Sequence, residues 1–91
     1  MRVKVRLFGD LMALLGDELI IEFEDEVRVK DLFMKLMERT GSSRKNFLGH
    51  YNIVKDLEVL LNGRNIKALN GFETQLKEGD TLVLFPPLVG G

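Results

Sequence analysis

The chain has 91 residues, 45% hydrophobic and 30% charged, with 13 Lys and Arg against 14 Asp and Glu. That length makes one domain around one core, since domains run to about 50–250 residues, and a formal charge of −1 lacks the basic excess that a phosphate-backbone binder needs. With no cysteine and a single histidine, His50, disulfides, cysteine-held metals and thiol nucleophiles are excluded, and a histidine metal site or Ser-His-Asp triad is not expected.

No apolar run reaches the ~18 residues of a membrane-spanning helix. Met1-Arg2-Val3-Lys4 alternates charge with apolar residues, which is not the pattern of a signal peptide, so the cytoplasm is the expected compartment. Val3, Val5 and Leu7 then alternate with Arg2, Lys4 and Arg6, the period of two that marks a strand with one buried face. Leu11, Met12, Leu14 and Leu15 suggest a short helical turn ended by Gly16, and Leu19 to Phe23 reads as a second strand. The short return through Asp17 and Glu18 favours antiparallel pairing of the two.

Val29, Leu32, Phe33, Leu36 and Met37 fall at i, i+3, i+4, i+7 and i+8, the apolar stripe of an amphipathic helix. Gly41 is the expected stop. At the other end Arg28 is a poor cap, so Asp25 is the candidate for an earlier start. Ser42 to Asp56 is polar and irregular, long for a connection in a compact domain, so part of it is a candidate for a short helix or a functional loop. Lys45 and Lys55 within it read as solvated loop charges and His50 as a loop residue without a chemical role.

Leu57 to Leu61 is apolar enough for a strand buried on both faces, and Asn62-Gly63 is the commonest sequence of a two-residue type I′ turn. Arg64 to Ala68 would return as a short strand. Lys77-Glu78-Gly79-Asp80 forms a turn, Thr81 to Phe85 a last strand, and Pro86-Pro87 end it, because proline lacks the ladder donor. One main helix covering one face of a mixed sheet of four to five strands makes an α+β roll. The final strand is a candidate to lie parallel to the first in the sheet centre.

The chain closes Phe85-Pro86-Pro87-Leu88-Val89-Gly90-Gly91. Two terminal glycines arise by chance in about 0.5% of chains, glycine being about 7% of residues. The prolines give a stiff exit from the strand, Leu88 and Val89 give apolar handles, and Gly90-Gly91 thread where any Cβ would clash. Six extended residues reach about 20 Å, enough to place a carboxylate inside another protein. That carboxylate is an anion at neutral pH and a poor electrophile, so to react as an acyl group it needs activation, most directly by ATP as an acyl-adenylate. Sulfide or a persulfide can then displace AMP.

The sequence resembles the small subunit of molybdopterin synthase (MoaD), within the ubiquitin-like β-grasp sulfur carriers. The resemblance runs from Val5-Arg6-Leu7-Phe8 through Val29-Lys30-Asp31-Leu32 and Leu60-Leu61-Asn62-Gly63 to Leu76-Lys77-Glu78-Gly79-Asp80 and the tail, with the tail the specific part. It implies a β-grasp domain over residues 1–85 and a flexible Gly-Gly tail over 86–91. It implies adenylation of Gly91 by a ubiquitin-activating-like adenylyltransferase that uses ATP, conversion to a thiocarboxylate by a sulfur donor system, and sulfur donation to a pterin precursor inside the large synthase subunit. The chain itself would bind no cofactor or metal, and catalytic groups would belong to the large subunit. Pro86, Pro87, Leu88, Val89 and Gly90 would form the threading tail. Phe8, Val83 and Phe85, on the sheet face away from the helix, would contact the partner. Ubiquitin-like modifiers, joined to lysines through the same terminal glycine, and carriers for another pathway such as thiazole synthesis share this chemistry. The segments Ser42–Asp56 and Asn65–Gln75 depart from the usual bacterial form, and Asn65 puts a polar group near a position that is often apolar.

Overall fold

A computed structural model describes residues 1–49 and 56–86. Strand β1 (Arg2–Leu7), helix α1 (Asp10–Leu15) and strand β2 (Glu18–Glu22) lead to a two-residue strand β3 (Val27–Arg28) that runs straight into helix α2 (Val29–Gly49). Then follow β4 (Glu58–Leu61), β5 (Arg64–Asn65), two 3₁₀ turns (Ile66–Ala68 and Gly71–Glu73), β6 (Gln75–Leu76) and β7 (Thr81–Phe85). The main sheet has the order β2-β1-β7-β4-β5, and β3 pairs with β6 in a separate ribbon.

The expected alternation in β1 is observed: Val3, Val5 and Leu7 are buried while Arg2, Lys4 and Arg6 are exposed. β1 pairs antiparallel with β2 and parallel with β7, bringing Val5 beside Leu82 and Leu7 beside Leu84. β4 closes the other side of β7, with Val59 opposite Leu84 and Leu61 opposite Leu82. These residues meet Val29, Leu32, Phe33 and Leu36 of α2 in one buried cluster, which Leu11 of α1 joins. Each such side chain contributes about 1.5–3 kcal/mol by leaving water. The mixed sheet with a helix on one face is the β-grasp architecture expected from the sequence.

Several local expectations are corrected. α2 does not stop at Gly41 but continues to Gly49, so most of the segment read as irregular is helical backbone, Lys45 included. One interior glycine costs about 1 kcal/mol, too little to end a helix already propagating at one hydrogen bond per residue. Its start is not capped by Asp25. The Asp31 carboxylate reaches back and accepts from the Arg28 backbone N–H at 2.9 Å, the reciprocal half of a capping box, with the acidic group at the dipole's positive end.

β4 is buried on one face only, with Leu60 half-buried on the other. Asn62 and Gly63 have φ of 51° and 85°, the two left-handed residues a type I′ turn requires. The return strand is limited to Arg64–Asn65, because Asn65 Oδ1 accepts from the Lys67 N–H at 2.9 Å and starts a 3₁₀ turn there. The β3–β6 ribbon has too few residues for any period to show in sequence. His50, Lys55 and the tail residues Pro87, Leu88, Val89, Gly90 and Gly91 lie outside the described residues. Among those described, no helix is long and apolar enough to cross a membrane.

Candidate functional site

The outer face of the sheet, away from α2, carries the residues singled out for partner contact. β1 turns Arg2, Lys4 and Arg6 outward because Val3, Val5 and Leu7 are committed to the core. The same parity on β7 sends Leu82 and Leu84 inward and leaves Thr81, Val83 and Phe85 half-buried outside. Parallel pairing sets Val83 beside Arg6, and the ladder extends one residue further through a Phe8 N–H to Leu84 carbonyl bond of 3.3 Å. That register brings Phe8 alongside Phe85.

The two rings are stacked, with centroids 4.7 Å apart and planes 14° from parallel. Arg6 adds its guanidinium carbon 5.9 Å from the centre of the Phe8 ring, within the range of a cation–π contact. Phe8, Val83 and Phe85 thus share one surface, at the end of β7 from which the tail departs.

Leu60 was not among the residues expected there. It stands opposite Val83 on β4, half-buried, and widens the apolar stripe across three strands. The Asn62-Gly63 turn was its signal: a fixed two-residue hairpin sets the register, and Leu60 falls opposite Asn65. Asn65 is half-buried on this edge, but its side-chain carbonyl is engaged by Lys67. Ile20, 57% exposed, lies opposite Lys4 on β2 and puts a second apolar group at the far side of the basic column. Glu18 opposite Arg6 and Glu58 opposite Phe85 add acidic groups at the edges of this surface.

Pro86, half-buried, follows Phe85 directly. It lies against Gly9, the residue after Phe8, whose φ of +63° is in the left-handed range. The end of the sheet therefore presents two stacked rings and, next to them, a proline resting on a glycine.

Among the described residues, none on this surface supplies an acid, base or nucleophile in a cleft. Among the described residues there is no group of three or more His, Asp or Glu that could hold a metal ion. Two of the hollows among the described residues lie elsewhere. One is a small apolar hollow of about 110 Å³ beside Leu57, Val59, Ile66 and Phe72. The other is a groove of about 870 Å³ lined in part by Glu24, Asp25, Glu26 and Asp31. Neither is lined by Phe8, Val83 or Phe85. The Glu73 carboxyl is held below the ordinary glutamate range by hydrogen bonds from Lys30 and Arg28. Those bonds tie the start of α2 to the second 3₁₀ turn. The chemistry this site can offer is recognition.

Known proteins share this fold along the whole chain. Small archaeal modifier protein 3 of Haloferax volcanii is 27% identical over the full length of both chains. The solution structure of small archaeal modifier protein 1 from Methanosarcina acetivorans superposes with a TM-score of 0.77 at 30% identity, covering 99% of this chain and 96% of that one. A chain of the protein–protein complex of subunits 1 and 2 of molybdopterin-converting factor from Helicobacter pylori is among the similar folds, and the match has a TM-score of 0.63 at 28% identity over the whole of both chains. The ThiS family model matches residues 5–91, and with the β-grasp sheet and helix in place the chain belongs to the ThiS family of ubiquitin-like sulfur carriers.

Proposed function

We propose that this protein is the sulfur-carrying small subunit of a molybdopterin synthase, its reactive group being the carboxylate of Gly91. The observation that carries the reading is the apolar surface of Phe8, Val83, Phe85 and Leu60 lying where the Pro-Pro-Leu-Val-Gly-Gly tail leaves the sheet. A partner that grips those side chains receives the tail in the same encounter. Likeness to a chain of the molybdopterin-converting factor complex supports the pathway.

The chemistry proceeds in two displacements. A Gly91 carboxylate oxygen attacks the α-phosphorus of ATP held by a ubiquitin-activating-like adenylyltransferase, pyrophosphate leaves, and an acyl-adenylate results. Hydrosulfide then adds to the Gly91 carbonyl carbon and AMP departs, leaving a thiocarboxylate. A protein persulfide as donor would give an acyl disulfide that a thiol then cleaves. The loaded tail would enter the large subunit, which supplies the catalytic groups, in the cytoplasm. ATP would be consumed by the activating enzyme, and this chain would bind no cofactor of its own.

A second reading is comparably supported by the likeness to small archaeal modifier proteins. There a lysine ε-amine attacks the activated Gly91 carbonyl, AMP leaves, and an isopeptide bond forms. Intact mass after incubation with the activating enzyme, ATP and a sulfide donor is expected to show one oxygen replaced by sulfur, and no change when Gly91 is deleted. An unchanged mass with an enzyme of verified activity would sink the carrier reading. Abundant lysine adducts in extract, without stimulation of molybdopterin synthesis, would favour the modifier.

A further inference from the structure

Gly9 stands between β1 and α1 with φ +63° and ψ −140°. Its carbonyl accepts from the Met12 N–H at 3.0 Å and begins α1. A Cβ placed on it would lie 2.7 Å from Pro86 Cγ and 3.4 Å from Pro86 Cδ, the first of these closer than real carbons approach. Gly16, Gly63, Gly71 and Gly79 also have positive φ, yet a Cβ at any of them would meet nothing within 4 Å. Those four are glycines for their backbone angle alone. At Gly9 the angle and the space are both used, and what fills the space is the ring of the first residue after β7.

Pro86 is fixed from two directions. Through the backbone it follows Phe85, whose ring is pinned on Phe8, and from the side its pyrrolidine rests on the bare α-carbon of Gly9. Proline has one soft backbone dihedral fewer than other residues, so placing its ring leaves little freedom at the root of the tail. A small rotation at that root displaces every atom that follows it.

We infer that Gly9 is a positioning residue, the seat on which Pro86 sets the direction of the C-terminal tail for the enzyme that activates it. The inference rests on the tail chemistry proposed above, which carrier and modifier readings share. A misplacement of about 1 Å at a reacting group can cost about a hundredfold in rate. Gly9 touches no reacting atom and would act only through Pro86.

A side chain at Gly9 also strains the backbone, because L-residues avoid this region. A double-mutant cycle separates the two effects, since strain is indifferent to the Pro86 ring and the clash is not. Tail adenylation by ATP–pyrophosphate exchange, thermal unfolding, and the proton contacts between Gly9 and Pro86 by NMR are measured for wild type, Gly9→Ala, Pro86→Ala and the double variant. Gly9→Ala is expected to lower kcat about tenfold or more with KM for the activating enzyme unchanged, and Pro86→Ala to lower it less. The double variant should recover to the Pro86→Ala rate.

A double variant as slow as Gly9→Ala would overturn the inference, as would a wild-type rate in Gly9→Ala. If Gly9→Ala does not fold, recovery of folding in the double variant supports the seat and continued failure overturns it. Absence of the Gly9–Pro86 proton contact in the wild type would also overturn it. A wild-type chain that a verified enzyme leaves unactivated instead removes the proposed tail chemistry, whatever the NMR contact shows.

Discussion

Phe85 lies half-buried with its ring nearly parallel to that of Phe8, and each ring shields one face of the other from water. Such a pair contributes about 0.5–1.5 kcal/mol beyond its buried area. Truncating Phe85 leaves Leu82 and Leu84 of the same strand in place beneath it. Phe85→Ala is therefore expected to lower stability by about 1 kcal/mol and, on the proposed carrier reading, to weaken binding to the partner subunit by about 2 kcal/mol or more, as a central aromatic anchor does. Denaturant unfolding and calorimetric titration check the two figures. A large stability loss with unchanged binding would make Phe85 a residue of the fold alone. The outward direction of Phe8, Val83 and Phe85 was legible in sequence because strand parity needs only a neighbour of known burial. Their mutual distance was not, since it depends on the parallel register of two strands at opposite ends of the chain. The Gly9–Pro86 contact was illegible for the same reason.

Between elements, Glu73 joins the start of α2 to the second 3₁₀ turn, with Lys30 Nζ at 2.9 Å and Arg28 Nη1 at 2.7 Å. Lys30 is the larger cause of its lowered pKa, followed by Arg28. A folded-state pKa below the unfolded one gives stability that is present above the ordinary value near 4.5 and lost as pH falls through the folded value. The carboxylate is exposed, so solvent and salt screen the gain. A carbon-detected NMR titration should place the Glu73 midpoint below 4.5, and Lys30→Ala should raise it. An unmoved midpoint would show that the pair does not persist in solution. The element boundaries show where sequence patterns lose their grip. The stripe from Val29 to Met37 announced α2, but Gly41 gave the wrong end, because a weak local preference yields to propagation. The cap was misread because the carboxylate that satisfies Arg28 comes from Asp31, inside the helix rather than before it. Strand β5 was overextended because nothing in its apolar pattern records the bond from Lys67 to Asn65.

For the whole molecule, the core is one cluster in which β7 is central, flanked by β1 and β4. Leu84 is fully buried between Leu7 and Val59. Leu84→Ala is expected to cost about 2–5 kcal/mol, a large share of the roughly 5–15 kcal/mol that holds a domain together. Thermal unfolding would measure it, and a loss below about 1 kcal/mol would mean that the site collapses around the gap. The α+β roll was legible as a whole because one amphipathic helix and several alternating strands admit few layered arrangements.

The central place of β7 also bears on how the protein is made. A ribosome delivers β1 early and β7 after every other strand, so the nascent chain holds β1 with only β2 to pair with until the end. Pairing at such sequence separation is slow and comes late in folding, and domains emerging from synthesis fold as units. A product cut short before Thr81 would lack the strand that joins β1 to β4, and with it the sheet. The stacked rings of Phe8 and Phe85 exist only once that strand has docked, so a partner that reads them would handle finished chains and pass over fragments.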